Sequence, residues 1–466
     1  MKKTKIICSI GPATQNWENF KGLVEAGMNV ARINFSHATI EERRLDESLV
    51  KRAREELGAD IGILYDTKGP DLRTCNFKDD KIELVKGNMI RIVEEDILGT
   101  NEVISLNYKG VLKDLCVGSK ILLDDGFYEL IVRSIENDGI TCEIMNSGVI
   151  KSRRGVCMPG IKLNVPYISE KDKEDIKYAC LNDGDFLAIS FVNSKEDVIA
   201  VKELCKEYGK PEMTIISKVE TQYAMDNLDE IVDASDYIMV ARGDLGIETG
   251  FENLPEYQQK MIDMCHTKSK GVIMATQMMY SMKTNIRPTN AEVTDVSNAV
   301  LAGCDAIMTS DETTIGNYPV ETIKTMSKIC ESAEKITKYD MDEYILRGNK
   351  IHNIIARCAV DAADYLPVKA IVASTLTGKT AIDIASLRPN SFIIATTTDR
   401  KVARNLSLKW GVYTSIVPTY DDTDDIVKDG VEAAKNILNL NKDDIVVVIG
   451  GSPATAHTNF IKIERI

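Results

Sequence analysis

Seven residues of this chain carry chemistry of a kind that fits together. Lys218 and Glu220 close the segment TIISKVE (214–220), and Asp244 closes DYIMVARGD (236–244). Arg32 lies in NVARINF (29–35), Asp66 and Thr67 end IGILYDT (61–67), and Arg73 follows within the turn KGPDLR. Charge at the edge of an apolar run is costly to bury unless it is paired or holds an ion. The residue types sort by task. Glu220 and Asp244 are hard oxygen donors, suited to magnesium with positions left open for substrate oxygens. Asn34, Ser36, Asp66 and Thr67 offer oxygens with one formal charge among them, which suits a weakly charged cation such as potassium. Arg32, Arg73 and Lys218 supply positive charge for a phosphoryl group, whose transfer asks mainly for positioning and charge. Gly243, beside Asp244, permits backbone N–H groups to approach a ligand such as a carboxylate, and equally permits a plain tight turn.

Taken singly, each residue has a plainer reading. A strand-end Asp, Ser36 or Thr276 is commonly a helix cap. Arg32 alone makes a surface ion pair, and Lys218 alone reaches solvent along its own stem. What favours a site is recurrence at the same end of successive apolar runs. Those runs are KIICSI (5–10), NVARINF, IGILYDT, DFLAISFV (185–192), TIISKVE, DYIMVARGD, GVIMAT (271–276) and DAIMTS (305–310). Continuous apolar runs flanked by helical patterns such as EERRLDESLVKRAREEL (41–57) indicate parallel strands covered on both faces. Eight such units predict a closed (β/α)8 TIM barrel, whose active site lies at the C-terminal ends of its strands.

One interval breaks the rhythm. From Thr67 to Asp185 is too long for one crossover, and residues 71–156 alternate between apolar runs and Gly/Asn/Asp turns. A small β-barrel lid domain inserted after the third strand is expected there, with the catalytic barrel formed by 1–70 and 157–340. From 341 to 466, AIVAST (370–375), SFIIATT (391–397), TSIVP (414–418) and DIVVVIG (444–450) alternate with helices, predicting an open α/β domain.

Composition sets the outer bounds. A chain of 466 residues exceeds what one core usually covers. The net charge of −14 argues against a nonspecific nucleic-acid binder, and no apolar stretch approaches the ~18 residues of a membrane span. Eleven Cys without CxxC spacing indicate free thiols in a reducing cytoplasm, and four His without Cys at ligand spacing argue against zinc.

The segments KTKIICSIGPAT, GMNVARINFSHA, DTKGPDLRT, IISKVE, IMVARGDLGIE, ATQMM and RPTNAEVTDVSNAV resemble the pyruvate kinase family, and the likeness runs from Lys3 to the C-terminus. The resemblance implies phosphoryl transfer from phosphoenolpyruvate to ADP, giving pyruvate and ATP, with magnesium (or manganese) and potassium. It implies that Glu220 and Asp244 bind magnesium, and that Asn34, Ser36, Asp66 and Thr67 bind potassium. Lys218 would stabilise the phosphoryl group in flight, with Arg32 and Arg73 on phosphate. Gly243, Asp244 and Thr276 would hold the substrate carboxylate, and Thr276 would lie where the enolate is protonated. Asn34, Phe35, Ser36, His37, Arg73 and Arg154 would meet the nucleotide. The inserted domain would close over the site and exclude water. A homotetramer is implied as well.

The chain departs from the family pattern at Asp71, usually Glu in potassium-dependent members, and at Asn290, Asp311 and Thr314-Ile315. STLTGKT (374–380) resembles the family's loop for a phosphorylated allosteric effector, a sugar phosphate or nucleotide. Ser374, Thr375, Thr377, Gly378, Lys379 and Thr380 would cradle it. The same residues also make an ordinary βα turn with capping hydroxyls, and Ala373 rules out a Walker A loop. Because the sequence ends at Ile466, the extra C-terminal domain of some bacterial members is not expected. Two other readings remain open at this point: a magnesium-dependent barrel lyase or aldolase, and a regulatory protein that keeps the fold without turnover.

Overall fold

The computed structural model describes residues 1–337, 339, 351–420, 422–451 and 457–466. Eight parallel strands close into a barrel: Lys5–Ser9, Val30–Asn34, Gly62–Asp66, Phe186–Ile189, Thr214–Val219, Tyr237–Ala241, Gly271–Ala275 and Ala306–Thr309. They pair in chain order, and the first closes on the eighth. Each begins within one residue of an apolar run named above, but the runs overshoot the strand ends by up to three residues. The overshoot is informative: it holds Glu220 and Thr276 on the loops just past their strands, and Asp244 in the first turn of the helix Arg242–Thr249.

Helices between the strands start where the sequence supplies their caps. Thr39 with Glu42, Ser194 with Asp197, and Thr289 with Glu292 form reciprocal capping boxes. Each pair satisfies two N–H groups that a helix start leaves without partners. These caps lie at the same end of the barrel as the strand C-termini, so they fix the loops around its mouth.

The inserted domain lies between the third barrel strand and the helix Glu170–Leu181. It holds a six-stranded sheet and a two-stranded ribbon pairing Lys81–Leu84 with Gly148–Lys151, and has its own core. The connection out of the barrel turns at Gly69, whose φ is +63°. A Cβ there would stand 2.8 Å from the Ser190 carbonyl oxygen, so the turn requires glycine twice over.

The C-terminal domain is an open sheet of four parallel strands, Val412–Ile416, Phe392–Thr397, Val368–Ser374 and Ile445–Gly450. An antiparallel edge strand, Phe460–Arg465, completes it; the apolar-run criterion did not find this strand. The expected boundary at 340/341 lies outside the described residues. Leu408 of this domain joins the barrel-interior cluster with Leu64, Phe186, Ile216 and Met239, closing the bottom of the barrel.

Candidate active site

The third, fourth and fifth strands deliver the central cluster. Lys218 lies 2.9 Å from Glu220 Oε1 and 3.5 Å from Asp66 Oδ1, and donates to Ser190 Oγ at 2.7 Å. Arg32 donates from Nε to Asp66 Oδ2 at 2.8 Å and from Nη1 to Ser9 Oγ at 2.7 Å. Asp66 therefore stands between two cations, at the end of a strand whose five residues are all buried. Glu220 accepts the Phe191 N–H at 2.6 Å on its other oxygen.

Burial alone would raise the Asp66 carboxyl, but Lys218 and Arg32 outweigh it and hold the group below its ordinary value. Burial would likewise depress Lys218, yet Asp66 and Glu220 override it and raise the ammonium. The balance is different at the other two acids. Burial pushes Glu220 up to about 7 against the pull of Lys218. Desolvation by the surrounding protein also raises Asp244 against Lys218, with Asp125 and Asp71 adding to the rise. Lys218 and Arg32 together face the two buried acids Asp66 and Glu220, and the more exposed Asp244 adds a third carboxylate that they do not compensate. Glu220 and Asp244 share the wall of a cavity of about 400 Å³ between the barrel and the inserted domain.

A cation would relieve that excess of negative charge. Among the described residues no three His, Cys, Asp or Glu side chains form a ready metal cage. Two carboxylates facing a cavity nonetheless fit a magnesium that keeps most of its shell for water and substrate oxygens.

Asn34, Ser36, Asp66 and Thr67 are brought together at the ends of strands two and three. Phe35 N–H donates to the Asp66 carbonyl at 3.0 Å, and Asn34 Oδ1 accepts the Ser36 N–H at 2.9 Å. The Phe35 ring stacks on Tyr65 at 5.0 Å between centroids, with the Arg43 guanidinium 4.2 Å from the ring centroid. His37 sits lower than an ordinary imidazole, first through burial and then through Arg73 and Arg32.

Arg73 is held by Asp71 at 2.6 Å and by the Arg153 carbonyl at 3.0 Å. Arg154 lies next to it at the base of the inserted domain, where its backbone bonds Thr74 and its side chain stands 3.5 Å from Asp124. On the opposite rim, Gly243 N–H donates to Thr276 Oγ1 at 3.0 Å. A Cβ at Gly243 would meet nothing closer than Thr276 Oγ1 at 3.7 Å, so protein packing does not demand glycine there. The open space is left for whatever approaches from the mouth.

Sequence reasoning placed Ser190 and Arg242 at the mouth without a role and missed Glu312. Ser190 links Lys218 to the third strand, donating to the Thr67 carbonyl at 2.7 Å. Glu312, fully buried, accepts the N–H groups of Met279 at 3.1 Å and Ser310 at 2.8 Å. Arg242 pairs with Asp295. Their position just past a strand end was the available signal, but their partners are set by the closed barrel.

In the C-terminal domain, Ser374, Thr375, Thr377, Lys379 and Thr380 line a second cavity of about 470 Å³. Gly378 N–H donates to Thr375 Oγ1 at 2.9 Å, and Thr380 Oγ1 lies 2.7 Å from Thr458 Oγ1. Gly378 itself has a φ of +85° and opens the helix Lys379–Ser386.

Comparison with known proteins agrees with this architecture. Residues 1–323 match the family model "Pyruvate kinase, barrel domain", and residues 353–464 match "Pyruvate kinase, alpha/beta domain". A pyruvate kinase of Bacillus licheniformis is 41% identical over 99% of this chain and 80% of its own length. One from Clostridium acetobutylicum is 39% identical, with 100% of both chains covered. The crystal structure of a pyruvate kinase from Cryptosporidium parvum superposes with a TM-score of 0.94 at 35% identity, covering 100% of this chain and 96% of that one. With both family models matched and the likeness spanning the whole chain, the protein belongs to the pyruvate kinase family.

Proposed function

We propose that the barrel mouth transfers the phosphoryl group of phosphoenolpyruvate to ADP through the residues named above. The observation that carries this reading is Lys218, buried between Asp66 and Glu220 beside Arg32. A lysine kept charged by two acids at a strand end is a fixed positive point for a phosphoryl group moving between two oxygens. Arg32 and Arg73 neutralise the phosphates on either side of it. Gly243 N–H, Asp244 and Thr276 take the carboxylate end of the substrate. Thr276 Oγ1 then faces the methylene carbon of the enolate, which takes up one solvent proton to become the methyl group of pyruvate.

Glu220 and Asp244 would hold magnesium or manganese, and Asn34, Ser36, Asp66 and Thr67 would hold potassium. When bound, these cations supply positive charge against the substrate's phosphate and carboxylate oxygens. Asn34, Phe35, Ser36 and His37, with Arg73 and Arg154, receive ADP. The inserted domain excludes water that would otherwise take the phosphoryl group. The C-terminal cavity around Ser374–Thr380 would bind a phosphorylated effector, its hydroxyls and Lys379 meeting the phosphate. The enzyme would act in the cytoplasm as a homotetramer. No helix among the described residues is long and apolar enough to cross a membrane.

ATP formation from phosphoenolpyruvate and ADP with magnesium, with and without potassium, tests the reading. Wild-type turnover that needs ADP and collapses in Lys218→Met supports it. Consumption of phosphoenolpyruvate without ADP would turn the assignment toward a lyase.

A further inference from the structure

The loop after the seventh barrel strand holds two successive non-glycine residues in the left-handed region, Thr276 at φ +65° and Gln277 at φ +55°. For a β-branched threonine this conformation is a genuine outlier. It costs about 1–3 kcal/mol and persists only where the surroundings over-determine it. The surroundings here are one arginine. Arg242 donates from Nη2 to the Thr276 carbonyl at 2.6 Å and from Nε to the Ala275 carbonyl at 3.2 Å. Its Nη1 reaches both oxygens of Asp295, at 2.8 and 2.7 Å, and Nη2 lies 2.9 Å from Met278 Sδ. The adjacent Gly243 N–H holds the Thr276 hydroxyl from the other side at 3.0 Å.

Arg242 lies two residues before Asp244, at a mouth built to receive an anionic substrate. Yet its guanidinium is spent on backbone carbonyls and on an acid from the following helix, Asn290–Leu301. That helix is fixed at its start by the Thr289–Glu292 box, and Glu292 also takes Ser281 N–H at 2.6 Å. Asp295 is therefore presented to Arg242 from an anchored helix start. A planar, forked guanidinium spanning two carbonyls and a carboxylate is a geometry that lysine does not reproduce.

We infer that Arg242 and Asp295 are a positioning pair for the known reaction: they set the backbone of Thr276 so that its hydroxyl, held by the Gly243 N–H, faces the substrate. The inference rests on the role given to Thr276 under the proposed function. Neither residue touches substrate, and both act through Thr276.

Thr276→Ala, Asp295→Asn, Arg242→Lys and the double variant Thr276→Ala/Asp295→Asn make the test. Two quantities are read: kcat and KM for each substrate, and exchange of the methyl protons of pyruvate with deuterated solvent, followed by NMR with magnesium, potassium and ATP present. Asp295→Asn is expected to slow both turnover and exchange by up to about 10²-fold, the scale of a 1 Å misplacement, with the KM for ADP unchanged. The double variant should then be no slower than Thr276→Ala alone. Equal exchange rates in Asp295→Asn and wild type, or independent multiplying losses in the double variant, would overturn the inference. Should Asp295→Asn not fold, Arg242→Lys decides alone: it keeps the charge and loses the fork, so wild-type exchange in that variant also overturns the pair. A wild type that forms no ATP refutes the underlying function instead, which separates the two failures.

Discussion

Both ends of the barrel bury charge, and they do so in opposite ways. At the bottom, Asp185 takes Arg54 at 3.1 Å, Arg404 of the C-terminal domain at 3.0 Å and the Ile63 N–H at 3.0 Å. Asp305 takes Arg388 at 2.9 Å and the Val272 N–H at 3.1 Å, with Lys409 at 3.6 Å. Each acid there has two cationic partners, and the C-terminal domain seals the end with Leu408. At the mouth, Asp66 shares Lys218 and Arg32, but Glu220 has Lys218 alone, Asp244 adds a third, exposed acid, and a cavity opens beside them. Paired, sealed charge is a joint between domains. Uncompensated charge beside a cavity is a site waiting for cations and substrate.

The largest effects should fall on opposite observables at the two ends. Lys218→Met is expected to lower kcat by about 10³-fold or more. Its urea midpoint should move little, because the cavity lets cations or protons reach Glu220 and Asp244. Asp185→Ala removes the buried acid that Arg54 and Arg404 share, leaves them only the half-exposed Asp183 and leaves the Ile63 N–H without its acceptor, and should cost about 1–3 kcal/mol of stability. Its kcat per folded molecule should stay within a few-fold of wild type. If Asp185→Ala instead loses turnover at full stability, the division between joint and site breaks down.

A pH-dependent effect sharpens the same contrast. His266 packs at the bottom, its Nε2 2.9 Å from the Gly303 carbonyl. Burial first, and then Arg388, push the imidazole down from 6.5 to about 4. A base with a depressed folded value binds its proton more readily when unfolded. The stability it contributes is therefore complete above about 6.5 and is lost as the pH falls toward about 4. That loss is on the order of 2–3 kcal/mol. Urea midpoints measured between pH 7 and 4 should fall more steeply in wild type than in His266→Gln. Parallel slopes would place the acid sensitivity elsewhere.

The parts legible in the sequence were those where one local signal suffices. Parallel strands covered on both faces leave continuous apolar runs, so all eight barrel strands could be read, and the long interval after Thr67 exposed the insertion. Phe460–Arg465 was missed because FIKIER is an edge strand that keeps three of its residues in solvent and carries charges within it. At the mouth, residue types singled out Lys218, Glu220, Asp244, Asp66 and Arg32, since strand ends concentrate them, and the fold brings them together. What they touch was not legible. Arg242 and Asp295 lie 53 positions apart and meet only because consecutive barrel strands place their loops side by side. Ser190 looked like any strand-end hydroxyl until the fold set Lys218 against it.

The smallest expected effect concerns Asp71, where the mouth comes closest to an ordinary surface. Asp71 holds Arg73 at 2.6 Å and stands 4.0 Å from Lys68, with the Arg73 side chain 37% exposed. An exposed pair of this kind is worth about 1 kcal/mol or less, since water screens it and ordering two side chains offsets the attraction. Asp71→Asn should therefore raise the KM for ADP by no more than about fivefold, through looser placement of Arg73. The potassium response of turnover should persist, because Asn34, Ser36, Asp66 and Thr67 are untouched. Titrating turnover with potassium in both proteins checks this. If Asp71→Asn abolishes the response, Asp71 acts on the cation rather than on Arg73. The uncompensated charge of the mouth would then extend outward from Asp66 through the turn at Gly69 instead of ending at the cavity wall.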